Sequence, residues 1–416
     1  MFDIRYKSHH DVKDVINKLT KRKVVTPFAF NKIMNSSPKV KEGGIYVHTP
    51  YCDKICAFCN MNRKQVDNNL DDYVDYLCKE FDRYGKKRYV QEKLITSIFF
   101  GGGTPTIYKA YQLEKILSTL RKNFNISDDC EFTFETTLHN LTLEKLEIMQ
   151  KYGVNRISVG IQSFSNRGRK VLNRTYEQEE IIRRLKEIRN NFKGLICIDI
   201  IYNYLDETEE EVANDAKIAV ELGVDSVSFY SLMIHEGSAI SKGLANKELE
   251  FDYKLLHDKK LHDKFLEITL NNGYHLLEHT KISNGNDKYR YIRNINSFSD
   301  LFAIGVGAGG RVGDIEYFNL NKLISFYAKD DDFKYNVKKL SGLLQYPKTN
   351  LKDIKELVGE KYYQVVYDLL VEFEKNGYLK LEDDRFEYTI DGVFWGNSIV
   401  AKIVTTVIEL KDKEGR

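Results

Sequence analysis

From Gly44 onward, short β-rich runs alternate with helical patterns, and this repeat restricts the fold more than any other feature of the chain. The runs are Ile45–His48, Ile95–Phe100, Glu131–Glu135, Arg156–Ile161, Ile196–Ile201 and Ser226–Tyr230. Between them, apolar residues recur at helical spacing over Leu70–Tyr84, Leu113–Phe124, Leu143–Tyr152, Glu177–Ile188 and Glu209–Leu222. Gly153 and Gly223 stand just past two of these patterns, where a left-handed residue would end a helix. Strands separated by helices must pair in parallel through right-handed crossovers. The expected fold is α/β, a partial (β/α)6 TIM-like barrel rather than an open doubly wound sheet. The reason is placement: the polar features sit at the C-terminal ends of the runs, which is the active face of parallel barrels. Cys52, Cys56 and Cys59 follow the first run, Gly101–Gly103 follow the second, and Glu135, Gln162 and Asp199 end the third, fourth and fifth.

Residues 1–42 are lysine-rich and read as a lead-in segment, residues 43–330 as the barrel, and residues 331–416 as a small C-terminal winged-helix-like domain. In that tail, helical patterns at Leu351–Leu357 and Tyr362–Asn376 precede a hairpin signal, and a last helix is expected from near Trp395. The wing carries Glu382, Asp383 and Asp384, which would repel phosphate. With a net charge of only +2, the chain is not expected to bind nucleic acid. Met1-Phe2-Asp3-Ile4-Arg5 does not read as a signal peptide, and no run is expected to span a membrane. Six cysteines in 416 residues do not suggest a disulfide scaffold; Cys78, Cys130 and Cys197 read as small core residues.

The remaining three form C-x3-C-x2-C. Three thiolates within eight residues can hold three corners of a cubane iron–sulfur cluster, leaving the fourth iron open to a small ligand. A zinc half-site could share this spacing. The three glycines at 101–103 let a backbone approach a ligand without an intervening Cβ, and the side chains of Glu135, Gln162 and Asp199 could point into one cavity.

With these residues in hand, the chain resembles the radical S-adenosylmethionine (SAM) superfamily. The resemblance is to the branch holding oxygen-independent coproporphyrinogen dehydrogenase, a haem chaperone and anaerobilin synthase. It rests on Tyr46-Val47-His48-Thr49-Pro50, the cysteine motif, Phe99-Phe100 with the glycines and Thr104-Pro105-Thr106, Gly160-Ile161-Gln162-Ser163-Phe164, Asn173-Arg174 and Asp199-Ile200-Ile201-Tyr202. The resemblance implies a [4Fe-4S] cluster on Cys52, Cys56 and Cys59, and two molecules of SAM. Tyr46, Gly102 and Glu135 would contact the first SAM. Phe58, Gly103, Thr104, Gln162, Arg174 and Asp199 would hold the second, with Met233 and Gly309 as further cofactor contacts. Arg174 could pair with a carboxylate in a bidentate fork, and His48 would support the cluster loop.

Within the branch, Met61 stands where the dehydrogenase usually has a further cysteine, and Asn203-Tyr204-Leu205 replaces the chaperone's Gly-Leu-Pro. The run Gly305-Val-Gly-Ala-Gly-Gly-Arg-Val-Gly313, with Tyr230-Ser231-Leu232, Gly237-Ser238 and Phe394-Trp395, looks most like the haem-opening type. That likeness implies methyl transfer from the second SAM to haem, opening of the ring to a methylated linear tetrapyrrole, and release of iron. It also implies a flavodoxin-like or ferredoxin-like electron donor and a cytoplasmic, reducing setting. A glycine-lined wall at 305–313 would suit the flat face of a macrocycle. His279 is the candidate contact to haem iron or a propionate, and Lys281, Arg290 and Arg293 are basic residues nearby.

Overall fold

The computed structural model describes residues 2, 4–59, 64–66 and 70–414. Met61, in Asn60–Arg63, therefore lies outside the described residues. Helix α1 (His9–Leu19) precedes the sheet, capped by Ser8, whose hydroxyl accepts from the Asp11 amide. Six parallel strands then lie side by side in chain order: β1 (Glu42–Thr49), β2 (Leu94–Gly102), β3 (Ile126–Thr136), β4 (Arg156–Gln162), β5 (Leu195–Tyr202) and β6 (Ser226–Ser231).

Their crossovers are α2 (Asp71–Gly85), α3 (Ala110–Asn123), α4 (Leu143–Lys151), α5 (Gln178–Asn191) and α6 (Glu209–Glu221). Each lays an apolar stripe on the sheet; on α3 it is Leu113, Ile116, Leu117 and Leu120. Helices α4 and α6 end where expected, with Gly153 (φ 85°) and Gly223 (φ 57°) in the left-handed region.

Beyond β6 come α7 (Leu255–Asn271) and the antiparallel pair β7 (His275–Glu278) and β8 (Lys281–Ser283), with β8 bonded to β6. Helix α8 (Arg290–Asn296) leads to β9 (Asp300–Ile304), which pairs in parallel with β1 on its free side. The first strand is thus internal, because the Leu301–Gly310 patch supplies a seventh parallel strand before turning at Gly305. The antiparallel strands β10 (Gly309–Val312), β11 (Ile315–Asn319) and β12 (Ser325–Lys329) extend this side, and Lys23–Val24 pairs with the outer one. The strand order is linear, so the barrel is partial and open.

The tail consists of α9 (Asp332–Leu343), α10 (Leu351–Val358), α11 (Glu360–Lys375), a three-stranded sheet and α12 (Ile390–Glu414). The last helix begins five residues before Trp395. It is long and apolar enough to cross a membrane by length and composition, which the sequence reading did not expect, yet 72% of its apolar window is buried inside the protein. The lead-in is stitched to both other parts. Arg5 pairs with Asp258 of α7 and donates to the Phe394 carbonyl, and the Tyr6 amide donates to Ser398 Oγ.

Candidate functional site

Apart from the solvent-facing start of β3, the central strands are mostly buried, and each has a half-buried position on its C-terminal half. These are Tyr46 on β1, Gly102 on β2, Glu135 on β3, Gly160 and Gln162 on β4, Asp199 on β5 and Tyr230 on β6. Adjacent strands in register put them side by side: Gly160 pairs with Asp199, and Glu135 with Ser158. The result is one polar cleft across an apolar sheet. Tyr230 belongs to it and was missed as a site residue, although a polar strand end was the signal that found the others.

Local backbone features aim the side chains. The register of β4 against β5 slips between Gly160 and Gln162, and Gln162 sits at φ 75°. A bulge of this kind re-aims a side chain, and the strained conformation is held by its surroundings. A Cβ at Gly160 would lie 2.9 Å from Gln162 Nε2 and 3.4 Å from Arg174 Nη2, so the missing side chain is the space those two groups occupy. The Gly102 amide donates to Glu135 Oε2 at 3.0 Å, and the amides of Gly103 and Thr104 donate to the carbonyls of Thr49 and Tyr51.

Burial, and then the neighbouring Asp199, push the Glu135 carboxyl up to about 8. Burial raises Asp199 as well, against the pull of Lys281. Ser158 Oγ lies 3.5 Å from Asp199 Oδ1. A bound ammonium or a ribose hydroxyl would relieve these two carboxyls.

The cysteine loop is fastened from three directions. Its Ala57 amide donates to the Leu172 carbonyl, Asn173 Nδ2 donates to the Ile55 carbonyl at 2.8 Å, and Asn140 Nδ2 donates to Asp53 Oδ1 at 3.0 Å. Phe58 packs on a small apolar cluster of Ala57, Leu172, Tyr204, Leu205, Leu232 and Ile240, separate from the main core. Cys52 is buried, and Cys56 and Cys59 are half-buried. Arg174 Nη1 lies 2.9 Å from Cys56 Sγ, and Thr104 Oγ1 is 3.5 Å from Cys52 Sγ. Three cysteines on one pinned loop, with a guanidinium beside Cys56, are a donor set that fits a cluster held by three thiolates. Among the described residues no three His, Cys, Asp or Glu side chains converge on a single metal ion. A cubane needs no such convergence, since each thiolate takes a different iron.

Other candidates fall elsewhere. Met233 is half-buried just past β6, and Gly309 opens β10 beside a cavity that Tyr46 also lines. His279 is 3% exposed, its ring edge-on to Tyr388 at 4.7 Å and pressed on Gly396, where a Cβ would lie 2.4 Å away. Burial drives its imidazole down to about 3, and α12 covers it, so a contact to haem iron would require that helix to move. Lys281 faces the interior, 2.7 Å from Ser228 Oγ, while Arg290 pairs with Asp129 on the surface and Arg293 is exposed.

The glycine run is not the bare wall expected. A Cβ at Gly305 would strike the His48 carbonyl at 2.5 Å, and one at Gly310 the Leu301 carbonyl at 2.6 Å, so these glycines serve close packing. Of the run's glycines, Gly309 and Gly310 alone border the cavity.

The family model of the radical SAM superfamily matches residues 46–219. The heme chaperone HemW of Buchnera aphidicola subsp. Schizaphis graminum is 27% identical over 383 residues, covering 86% of this chain and 96% of that protein. The mitochondrial radical S-adenosyl methionine domain-containing protein 1 of Dictyostelium discoideum is 30% identical over 322 residues, covering 72% and 71%. Anaerobilin synthase of Escherichia coli O157:H7 is 24% identical over 300 residues, covering 72% and 67%. Among solved structures, coproporphyrinogen III oxidase (HemN) from Escherichia coli shares the fold at a TM-score of 0.78 and 20% identity, over 93% of this chain and 95% of that one. With three cysteines on a pinned loop and a polar cleft at the strand ends beside it, this chain belongs to the radical SAM superfamily, whose [4Fe-4S] cluster and SAM its site fits.

Proposed function

We propose that this chain is a radical SAM methyltransferase that opens haem without oxygen to a methylated linear tetrapyrrole and frees the iron. The reading rests on the site at the strand ends, whose half-buried positions run across six strands. Cys52, Cys56 and Cys59 would hold the cluster, and Tyr46, Gly102 and Glu135 the first SAM. Phe58, Gly103, Thr104, Gln162, Arg174 and Asp199 would hold the second, with Met233 and Gly309 at its margins. When bound and reduced, the cluster and SAM supply a 5′-deoxyadenosyl radical.

The chain's own residues orient the reactants. Glu135 and Asp199, raised by burial, are poised to take hydroxyl or ammonium donors, and Arg174 holds a positive charge against the cysteine loop. A flavodoxin-like or ferredoxin-like protein would deliver electrons in a reducing, cytoplasmic setting. The relatives named for haem and for anaerobilin support a tetrapyrrole substrate.

A second reading, a haem chaperone, draws support from the relative matched over 96% of its length. Incubation of anaerobic, cluster-loaded protein with haem, SAM and a low-potential reductant separates the two. Loss of the Soret band with a methylated linear product supports the methyltransferase. Haem retained intact on the protein sinks it and favours the chaperone, and turnover of coproporphyrinogen alone sinks both. Cys52→Ala, Cys56→Ala and Cys59→Ala should each lose bound iron and sulfide in every case.

A further inference from the structure

Around Glu316 of β11 and Asp330, just past β12, positive charge outruns its partners. Lys338 Nζ lies 2.9 Å from Glu316 Oε1 and also reaches Asp330, Arg22 Nη2 is 3.1 Å from Glu316 Oε2, and Arg311 Nη2 is 3.3 Å from Glu316 Oε1. Lys334 stands 3.6 Å from Asp330, and Lys13 of α1 feels Glu316 together with Lys338, Arg22 and Arg311. Four cations thus share two carboxylates in ion pairs, with Lys13 close by, and the side chains of Lys334 and Lys338 are almost wholly buried. Arg311 Nε and Nη1 are buried with no hydrogen-bond partner among the described residues, whereas Arg22 Nε and Lys334 Nζ stand 3.8 and 3.6 Å from Asp330 Oδ1. Buried donors in native proteins are nearly always paired, so two orphaned on one guanidinium need an explanation.

Lys13, Arg22, Arg311 and Lys338 border a cavity of about 400 Å³, and Glu316 is the one carboxylate on its wall among the described residues. Much of the rest of that wall is apolar, including Ile16, Ile295, Phe298, Leu301, Phe318 and Phe326. The Arg311 guanidinium stacks 3.6 Å over the Phe298 ring. Tyr46 lines both this cavity and the polar cleft, so an occupant would lie next to the cofactor site.

We propose that this cluster is a carboxylate seat: the cavity takes a flat, apolar ligand bearing two or more carboxylates, with Lys13, Arg22 and Arg311 as their partners. The identification of that ligand as a tetrapyrrole rests on the function proposed above; the charge surplus does not.

The test follows binding of protoporphyrin IX and of its dimethyl ester to the full-length, cluster-loaded chain, alongside bis-ANS, an apolar dianion that is not a tetrapyrrole. The wild-type chain should hold the diacid about tenfold or more tightly than the ester, because truncating one partner of a buried charge pair has effects of at least this size. Arg311→Met should remove most of that preference and the solvent-facing Lys13→Met a measurable part of it, each leaving ester affinity unchanged, while Arg290→Gln, at a surface pair, should do nothing. Lys13 is an accessible side chain, so its variant reports even where Arg311→Met fails to fold. Equal binding of diacid and ester by the wild type, or a preference kept in both variants, overturns the proposal. If neither porphyrin binds but both variants weaken bis-ANS, the tetrapyrrole reading falls and the seat stands. If bis-ANS is held equally by all, the seat itself is refuted.

Discussion

Arg156 and Asp287 meet under the parallel strands with every partner supplied, whereas the cations around Glu316 and Asp330 do not. Arg156 reaches both oxygens of Asp287, at 3.2 and 2.9 Å, and the same carboxylate accepts from Ser226 Oγ at 2.6 Å and the Tyr289 amide at 2.9 Å. The two side chains are 1% and 0% exposed. The guanidinium also lies 4.3 Å over the Tyr289 ring. This is a closed structural pair. The second group is an open one, with several cations and unused Arg311 donors beside a cavity. Full burial alone does not mark a functional charge.

The difference can be broken most sharply at Arg156. Arg156→Met would leave the Asp287 carboxylate buried and unpaired, and unfolding in urea should show a loss of about 3–5 kcal/mol. Asp287 is held well below the ordinary carboxylate range, chiefly by Arg156 against the cost of its burial. Its contribution should therefore be present above about pH 4 and drain away as pH falls further; an Asp287→Asn chain whose acid unfolding curve is unchanged would contradict this.

Glu135 runs the other way. Its folded pKa of about 8 lies above the unfolded value of 4.5. The proton is bound more tightly in the native state, so stability declines as pH rises between those two values. Glu135→Gln should then be more stable than wild type at pH 9 by about 1–3 kcal/mol and indistinguishable from it near pH 4, as read by thermal melts in the cofactor-free chain. At the open cluster the effects shrink. Arg311→Met should shift unfolding by less than about 1 kcal/mol or raise stability, because it removes one of several competing cations. Smallest of all, a polycarboxylate such as citrate should raise the wild-type Tm by about 1–2 °C through binding to the native state, and should leave Arg311→Met unmoved.

Much of this was legible in the chain. The six strands and five crossover helices stand within a few residues of their expected limits, because apolar periodicity acts over a single element. Glu135, Gln162 and Asp199 lie at half-buried positions on three neighbouring strands, as their common place near the strand ends led one to expect. His279 was misjudged for the opposite reason. Its surroundings, Tyr388 and Gly396, lie more than 100 residues along the chain, and only their packing decides that the ring is enclosed. The glycine run looked like a ligand wall, but the atoms that forbid a Cβ there belong to His48, Tyr73 and Leu301.

By itself, then, the sequence determined the alternating architecture, the spacing of the three thiols and the polar strand ends, all of which are set by local sterics, period and short loops. The tertiary structure decided which charges are satisfied. Lys13 and Arg22 come from the lead-in, Arg311 and Glu316 from the antiparallel extension and Lys338 from α9. Electrostatic balance is a sum over neighbours in space, and no local pattern in the chain records it.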